Sequence, residues 1–349
     1  MTHYHPVEPR RRRRWPMVLL GLLAAVLLVV AMAAVWLQRQ FDPPGAPGAQ
    51  VEIVLPAGAS TQRIAAILDA KGVVGSARVF RLYVKLNGGG PFQAGRYTLR
   101  RDLAFGDVVD ALSKGPEITY QRLTIPEGYT LEQIAARVGK LPGRSADDFL
   151  AAARSGAVRS QYQPPGSTNL EGLLLPETYN IEPDDDETAI LRLMVTEFDT
   201  VAAGLGLDEA KADVGITPYQ AVVVASLVER EARVDEDRGP IAGVIYNRLE
   251  KGMLLQVDAT VLYALGSHKT RVLFKDLEID SPYNTYRVKG LPPTPIAAPG
   301  RAALRAALGP PKHDYLYYVV IDSKGRHAFA ATGAEHTRNI RKAKENGVR

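Results

Sequence analysis

Hydrophobic and polar positions divide the chain into a long apolar stretch near the amino terminus, a region with two similar amphipathic segments, and a distal region of helical patterns. Met17–Leu37 comprises 21 consecutive residues without a charged side chain. As a helix it would extend about 32 Å, close to the thickness of the hydrocarbon core of a bilayer. The pattern predicts a transmembrane helix over residues 16–38.

Basic residues predict how this helix is oriented. Residues 1–40 contain six arginines, including Arg10–Arg14, and one acidic residue, so this segment carries the whole formal net charge of +5. The positive-inside rule then predicts a cytoplasmic tail over residues 1–15 and export of the rest of the chain. Ala31-Met32-Ala33 also fits a signal-peptide cleavage site, but the apolar region is longer than the usual 7 to 15 or so residues. We therefore expect a retained single-pass anchor in the cell (inner) membrane, with the distal domain extracytoplasmic.

Composition excludes several classes of function. The neutral body behind the basic tail argues against a nucleic-acid partner. The chain has no cysteine, which rules out disulfides, thiolate nucleophiles and thiolate metal sites. Its six histidines form no close ligand pair apart from His3 and His5 in the tail, so we expect neither a metal nor another cofactor.

Two segments 70 residues apart share the pattern of a strand, a turn and a helix. Ile53–Leu68 and Leu123–Val138 are identical at five aligned positions, among them a proline and a glycine in the turn. Ser60 and Thr130 stand where a helix N-cap belongs. The arrangement resembles the small βααβ cell-wall-binding modules of the LysM type; a common supersecondary unit is the alternative.

Segments rich in proline, glycine and polar residues divide the chain into domains. They predict linkers over residues 39–50 and 141–168, which enclose a LysM-like proximal module over residues 51–140. The distal domain, residues 169–349, combines helical patterns with a β-hairpin around Asp322–Gly325, so the predicted fold class is α+β. Its main helices are predicted over about residues 188–205, 218–233 and 240–250.

An apolar run in the distal domain ends in two carboxylates. Seven of the eight residues in Ala221–Val228 are apolar, and Glu229-Arg230-Glu231 follows directly. In a helix, Glu231 lies three and seven residues after Val228 and Val224 and shares their face, whereas Glu229 points nearly the opposite way. We therefore predict that Glu231 faces the bulkier apolar surface.

A carboxylate against an apolar wall has a specific chemical use. Burying its charge is costly, so the group either finds partners or takes up a proton. A carboxylic acid kept neutral in this way can act as the general acid that cleaves a glycosidic bond. Helical spacing alone leaves open the alternative of an ordinary surface salt bridge between Glu231 and Arg230 or Arg233.

Four strings in this region resemble the YceG-like endolytic murein transglycosylases: ASLVEREA, IYNRLEKGMLLQVDATVLYALG, YNTY and GLPPTPIAAPG. The similarity is dense from about Leu170 to Asn339 and weaker back to about Val51. It implies a bacterial enzyme that cuts nascent peptidoglycan strands, with Glu231 as its catalytic residue. The implied reaction needs one carboxyl group. This group protonates the oxygen between N-acetylmuramic acid and N-acetylglucosamine, then takes the proton of the sugar's own 6-hydroxyl, so that a 1,6-anhydro end forms.

Five residues near these strings are predicted to bind the glycan. Amide and carboxylate groups can hydrogen-bond sugar hydroxyl and acetamido groups, and aromatic rings pack against sugar rings. Asp258 could instead cap a helix that begins near Ala259, and core or turn packing would explain any one residue of the YNTY string. The predicted binding residues are Gln256, Asp258, Tyr283, Asn284 and Tyr286.

The remaining expectations concern other carboxylates and partners. Glu171 and Glu177 are conceivable second carboxylates, but we predict that they hold strand ends and neighbouring arginines. The expected partners are peptidoglycan strands, the membrane through residues 16–38, and peptidoglycan synthases. A non-catalytic peptidoglycan-binding scaffold of a cell-wall synthesis complex is the alternative function.

Overall fold

A computed structural model describes residues 15–116, 120–266 and 271–348. The predicted basic tail lies outside these ranges except for Trp15. His268, one of the six histidines, also lies outside them. The chain divides into two compact units, an amino-terminal unit, Met1–Ile118, and a carboxy-terminal unit, Thr119–Arg349.

The amino-terminal unit begins with one long helix, α1, over Trp15–Phe41. Its segment Val18–Phe41 is long and apolar enough to cross a membrane, and an apolar stretch of 18 residues within it is not buried inside the protein. The helix ends at Phe41, inside the predicted linker of residues 39–50. The ring of Phe41 packs against those of Tyr83 and Phe105, at centroid distances of 5.2 and 5.8 Å. Residues 39–41 therefore join the helix to the core of the module and are not part of a spacer.

The rest of this unit has the order βααβ followed by a short helix. Strands β1 and β2 pair antiparallel, with Gln50 opposite Arg100 and Leu55 opposite Gly95. Alternate side chains of the two strands are buried against the helices, as the two-residue period of a strand requires. The elements are β1 (Gln50–Leu55), α2 (Thr61–Ala70), α3 (Ala77–Asn87), β2 (Gly95–Arg100) and α4 (Phe105–Lys114).

The carboxy-terminal unit is a helical body with two separate strand pairs, which confirms a mixed helix and strand fold. Strands β3 and β4 pair antiparallel, and so do β5 and β6. Its elements are β3 (Gln121–Thr124), α5 (Leu131–Val138), α6 (Ala146–Ser155), β4 (Thr178–Ile181), α7 (Glu187–Gly204), α8 (Ala210–Asp213), α9 (Pro218–Glu231), α10 (Asp235–Glu250), α11 (Asp258–Ala264), α12 (Arg301–Leu308), β5 (Tyr317–Val320), β6 (His327–Ala330) and α13 (Gly333–Glu345).

Both copies of the sequence repeat form the predicted strand, turn and capped helix, but they belong to different units. The turn glycines Gly58 and Gly128 have φ values of +70° and +75°, a conformation that favours glycine. Ser60 and Thr130 cap helices α2 and α5 with their side chains. However, β3 pairs with β4 and α5 packs into the core that contains α9, so the second copy is not part of the proximal module. The boundary between the units accordingly lies at residues 118 and 119, ahead of the predicted 141–168 region.

This packing makes a prediction about fragments of the chain. A fragment that begins at Tyr120 is expected to unfold cooperatively, whereas one that begins at Thr168 is not. The shorter fragment loses Leu123 and Ile134 from the core and leaves β4 without its partner strand. Each such core truncation costs about 2 to 5 kcal/mol, against a typical total stability of about 5 to 15 kcal/mol. Thermal unfolding followed by circular dichroism compares the two, and equally sharp transitions would contradict the assignment of β3 and α5 to this core.

Candidate active site

Helix α9 places Glu231 at its carboxy-terminal end. A capping box between Thr217 and Gln220, with Pro218 at the first helical position, begins the helix. All eight residues of Ala221–Val228 are buried, so the helix crosses the core of the unit. Ala232 then adopts an extended conformation, which ends the helix two residues before the predicted end and leaves Glu231 as its last residue.

The two carboxylates of the ExE motif point to different environments, as helical spacing predicts. Glu229 accepts hydrogen bonds from Arg238 Nη1 at 3.1 Å and from the backbone N–H of Gly300 at 2.9 Å. Glu231 instead accepts a hydrogen bond from the hydroxyl of Tyr318 at 3.1 Å. Arg230 donates a hydrogen bond to the carbonyl of Gly128. Its hydrogen-bond partner is therefore not Glu231, as the alternative of a surface salt bridge would require. Glu229 therefore joins structural elements, whereas Glu231 lies at a cleft.

This cleft has a volume of about 350 Å³ and belongs entirely to the carboxy-terminal unit. It brings together the end of α9, the segment before α11 and the hairpin of β5 and β6. Its lining residues are Glu231, Arg248, Leu255, Gln256, Asp258, Tyr286, Tyr318, Val319, Val320, His327 and His336.

The environment of Glu231 suits a group that both donates and accepts a proton near neutrality. Burial, together with the smaller effect of the negative charge of Asp258, raises the pKa of Glu231 to about 7. The hydrogen bond from Tyr318, the backbone N–H of Ala259 and the charge of Arg230 act in the opposite direction, because they favour the carboxylate. Glu231 nevertheless lines the cleft and is partly exposed to solvent.

Gln256 and Asp258 lie in this cleft, as predicted. Gln256 has φ +49°, an uncommon conformation for a residue with a side chain, and its backbone N–H donates to the carbonyl of Thr285 at 3.1 Å. Backbone strain of this kind is concentrated at functional sites. Asp258 is the first residue of α11 and accepts a hydrogen bond from the hydroxyl of Tyr286, whereas Val257 occupies the N-cap position.

The structure separates the three predicted binding residues of the YNTY string. Tyr286 lines the cleft. Asn284 is completely buried, and its amide donates to the carbonyls of Leu277 and Ile279 at 2.9 Å each. Its side-chain oxygen accepts the N–H of Tyr286 at 3.1 Å, so Asn284 shapes the turn that presents Tyr286.

Tyr283 lies outside the cleft lining. Its ring packs on the ring of Tyr263 with centroids 5.0 Å apart, and its hydroxyl lies 2.9 Å from that of Thr294. Tyr283 and Asn284 thus make their contacts outside the cleft. Three of the five predicted binding residues therefore line the cleft, and two hold the fold around it.

Sequence reasoning missed four polar residues of this cleft, namely Arg248, Tyr318, His327 and His336. The hairpin of β5 and β6 was predicted, but strand alternation did not show that Tyr318 bonds Glu231 or that His327 lines the same cleft. His327 is fixed by Asp237, whose Oδ2 accepts the backbone N–H at 2.7 Å and lies 2.8 Å from Nδ1. One sequence signal could have pointed to His327 as a candidate site residue, namely its position at the start of β6, directly after the tight turn of the hairpin.

Known proteins resemble this chain in both sequence and fold. The YceG-like family matches residues 53–342. The chain belongs to the YceG-like family. An endolytic murein transglycosylase of Bacillus subtilis is 38% identical over 312 residues, which cover 85% of each protein. One of Streptococcus pneumoniae D39 is 32% identical over 83% of this chain and 58% of its own length.

A solved structure extends the similarity to three dimensions. The crystal structure of a YceG-like protein from Listeria monocytogenes, at 2.6 Å resolution, is 35% identical in sequence and aligns with a TM-score of 0.55. The alignment covers 83% of this chain and 99% of the Listeria chain. The YceG-like sequence and fold therefore extend over both units.

Two further glutamates of this YceG-like chain lie outside the cleft lining. Glu171 is buried, accepts the backbone N–H of Leu131 at 3.0 Å and the hydroxyl of Tyr263 at 3.1 Å, and has its pKa raised to about 8 by burial. Glu177 lies 3.9 Å from the guanidinium of Arg301. Glu177, next to the start of β4, fits the predicted role of holding a strand end and an arginine, whereas Glu171 instead holds the amino-terminal end of helix α5.

Proposed function

We propose that this protein is a membrane-anchored endolytic transglycosylase that cleaves the bond between N-acetylmuramic acid and N-acetylglucosamine in nascent peptidoglycan and thereby ends strand elongation. The chain is a lytic transglycosylase of the YceG-like family. The observation that carries the proposed mechanism is the position of Glu231, which lies at the cleft with burial raising its pKa to about 7.

Glu231 acts first as an acid and then as a base in the proposed reaction. Its carboxyl proton goes to the bridging oxygen as the bond from this oxygen to C1 of the muramyl residue breaks. The carboxylate then takes the proton of the muramyl 6-hydroxyl, whose oxygen forms the new bond to C1. The product has a 1,6-anhydro end, no water is consumed, and Glu231 regains its proton.

The residues around Glu231 support both steps. Burial raises the pKa of Tyr318 well above its usual range, so its hydroxyl stays a donor to Glu231 throughout the cycle. We assign Gln256, Asp258 and Tyr286 to sugar binding, because they line the same cleft and carry amide, carboxylate and aromatic groups. His327, held by Asp237, is a further sugar-binding group in this proposal.

Mass analysis of the products from purified glycan tests the reaction type. Transglycosylation leaves ends that are lighter by one water than hydrolysed ends. Reducing ends in place of anhydro ends would replace the proposed lyase by a hydrolase.

The proposed acid role also predicts the pH dependence of the activity. Since the free enzyme must hold the proton, kcat/KM is expected to fall above about pH 7, tenfold per pH unit. Tyr318→Phe removes a hydrogen bond that favours the charged carboxylate, so it is expected to raise the pKa of Glu231 and to move this alkaline limb to higher pH. Tyr317→Phe, on the same strand, is the control, since the ring of Tyr317 stacks on His336. Equal shifts in both variants, or none in Tyr318→Phe, would contradict the acid role.

The amino-terminal unit has a separate role in this proposal. Helix α1 anchors the chain with its amino terminus in the cytoplasm, and the βααβ order of residues 50–100 supports a LysM-like module that positions wall glycan. The extracytoplasmic carboxy-terminal unit, with residues 169–349 as its proposed catalytic part, then acts near peptidoglycan synthases.

A further inference from the structure

Helix α3 presents a face of three cations and two leucines to solvent. Arg78, Arg81 and Lys85 are exposed, and Leu82 and Leu86 expose 46% and 70% of their surface. We call these five residues the α3 face. Within the described part of the chain, none of the three cations forms an ion pair with a carboxylate. The cations also line a groove of about 410 Å³ together with Thr61 and Leu82.

The α3 face lies beside the end of the membrane-spanning helix. Phe41, the last residue of α1, packs against Tyr83 of α3, and a Cβ atom placed on Gly75 would lie 2.7 Å from Gln40 Oε1. Leu37, the last residue of the uncharged stretch, is only four residues from Phe41, or about 6 Å along the helix. Because the headgroup layer on each side of a bilayer is about 5 to 8 Å thick, the module begins within that layer.

The order of residues around α3 places the leucines toward α1. At about 100° per residue, Leu86 and Leu82 lie between Tyr83, which contacts α1, and the cations Arg78 and Lys85. Apolar side chains therefore lie nearest to the span, and charges lie next to them. Interfacial membrane helices have this arrangement, with leucines at the acyl boundary and basic groups among the phosphates.

We propose that the α3 face docks on anionic phospholipid headgroups at the surface of the membrane that α1 spans. The proposal rests on the proposed anchoring by α1. Continuity with the span and the complementary charge of three cations support a lipid surface as the partner. Docking at this second point would hold the module against the bilayer and limit its rotation about the end of α1.

The full-length protein in vesicles provides the test. Because the chain has no cysteine, Leu86→Cys gives a single site for a small apolar fluorophore. In vesicles of phosphatidylglycerol, lipids brominated near the top of the acyl chain are expected to quench this fluorophore. The triple variant Arg78→Glu, Arg81→Glu, Lys85→Glu is expected to lower the ratio of docked to undocked helix by at least about 100-fold, or about fivefold for each cation.

A matched triple variant controls for net charge. Arg341, Lys342 and Lys344 are exposed on α13 of the other unit, and their replacement by glutamate changes the charge equally. This control variant is expected to show the same quenching as the protein with an intact α3 face. In vesicles of phosphatidylcholine, which carry no net charge, the protein with an intact α3 face is expected to show less quenching.

The outcomes separate docking from anchoring. Protein that leaves the vesicles during an alkaline wash would show that α1 is not an anchor. Protein that stays, but whose fluorophore remains in water, would overturn the docking alone. Two further outcomes would overturn an anionic phospholipid as the partner. One is equal quenching in phosphatidylglycerol and phosphatidylcholine, and the other is a fluorophore that leaves the water only after peptidoglycan is added.

Discussion

Glu231→Gln is expected to lower kcat/KM on purified glycan strands by about two to four orders of magnitude. The amide keeps the shape of the side chain and its hydrogen bond with Tyr318, but it can neither donate nor accept the catalytic proton. General acid and base catalysis contributes rate factors of this size. Steady-state kinetics with mass analysis of the products measures the loss, and a glycan-binding assay is expected to show unchanged affinity.

The fold of this variant should also be intact. Because burial raises the pKa of Glu231 from 4.5 to about 7 in the folded state, the carboxyl group binds its proton more tightly there than in the unfolded chain. Its contribution to stability is therefore present below about pH 4.5 and is lost as the pH rises to about 7. Glutamine has no charge to bury, so at pH 8 the variant should be at least as stable as the wild type.

Glu229→Gln is the matched control, two residues away on the same helix. Its effect should appear in the stability of the fold, because Glu229 bonds Arg238 and Gly300 and lines no part of the cleft. Wild-type activity of Glu231→Gln would refute the assignment of this residue. If the wild-type protein itself formed no product from glycan, the scaffold alternative would be favoured.

Arg238→Met is expected to lower the free energy of unfolding of the carboxy-terminal unit by about 3 to 5 kcal/mol. Arg238 bonds Glu229 and Asp235 at 3.1 Å each, and the side chains of Arg238 and Glu229 are only 13% and 6% exposed. Breaking a buried ion pair by removing one partner leaves the other charge uncompensated, at a cost in this range. Urea unfolding of the fragment from Tyr120, followed by circular dichroism, measures the difference.

Two further variants isolate the reason for that loss. In Glu229→Gln with Arg238→Met no buried charge is left unpaired, because Asp235 and Glu127 are exposed and half-exposed, so most of the lost stability should return. Arg301→Met breaks the half-exposed pairs with Glu177 and Glu197 and is expected to cost only about 0 to 1 kcal/mol. A double variant as unstable as Arg238→Met would show that lost packing, and not buried charge, causes the effect.

Local periodicity in the sequence determined the features that depend on near neighbours. The uncharged Met17–Leu37 is part of a single helix, and both copies of the repeat form a capped helix after a glycine turn. Glu231 and Glu229 point to different surroundings, because helical geometry alone separates positions two residues apart. These predictions succeeded because turns, caps and helix faces are set by residues within about one helical turn.

Only the tertiary structure decided which elements share a core and which residues share the cleft. Nothing local distinguishes the repeat that pairs with β2 from the one that pairs with β4, since strand partners are chosen by packing between distant segments. The same holds for Asn284 and Tyr286, which are two residues apart but face the core and the cleft. Tyr318 bonds Glu231 and His327 bonds Asp237, each across about 90 residues of sequence, because the hairpin that carries them folds back on α10. Periodicity predicts the face on which a side chain lies, but the contacts of that face depend on how the whole chain packs.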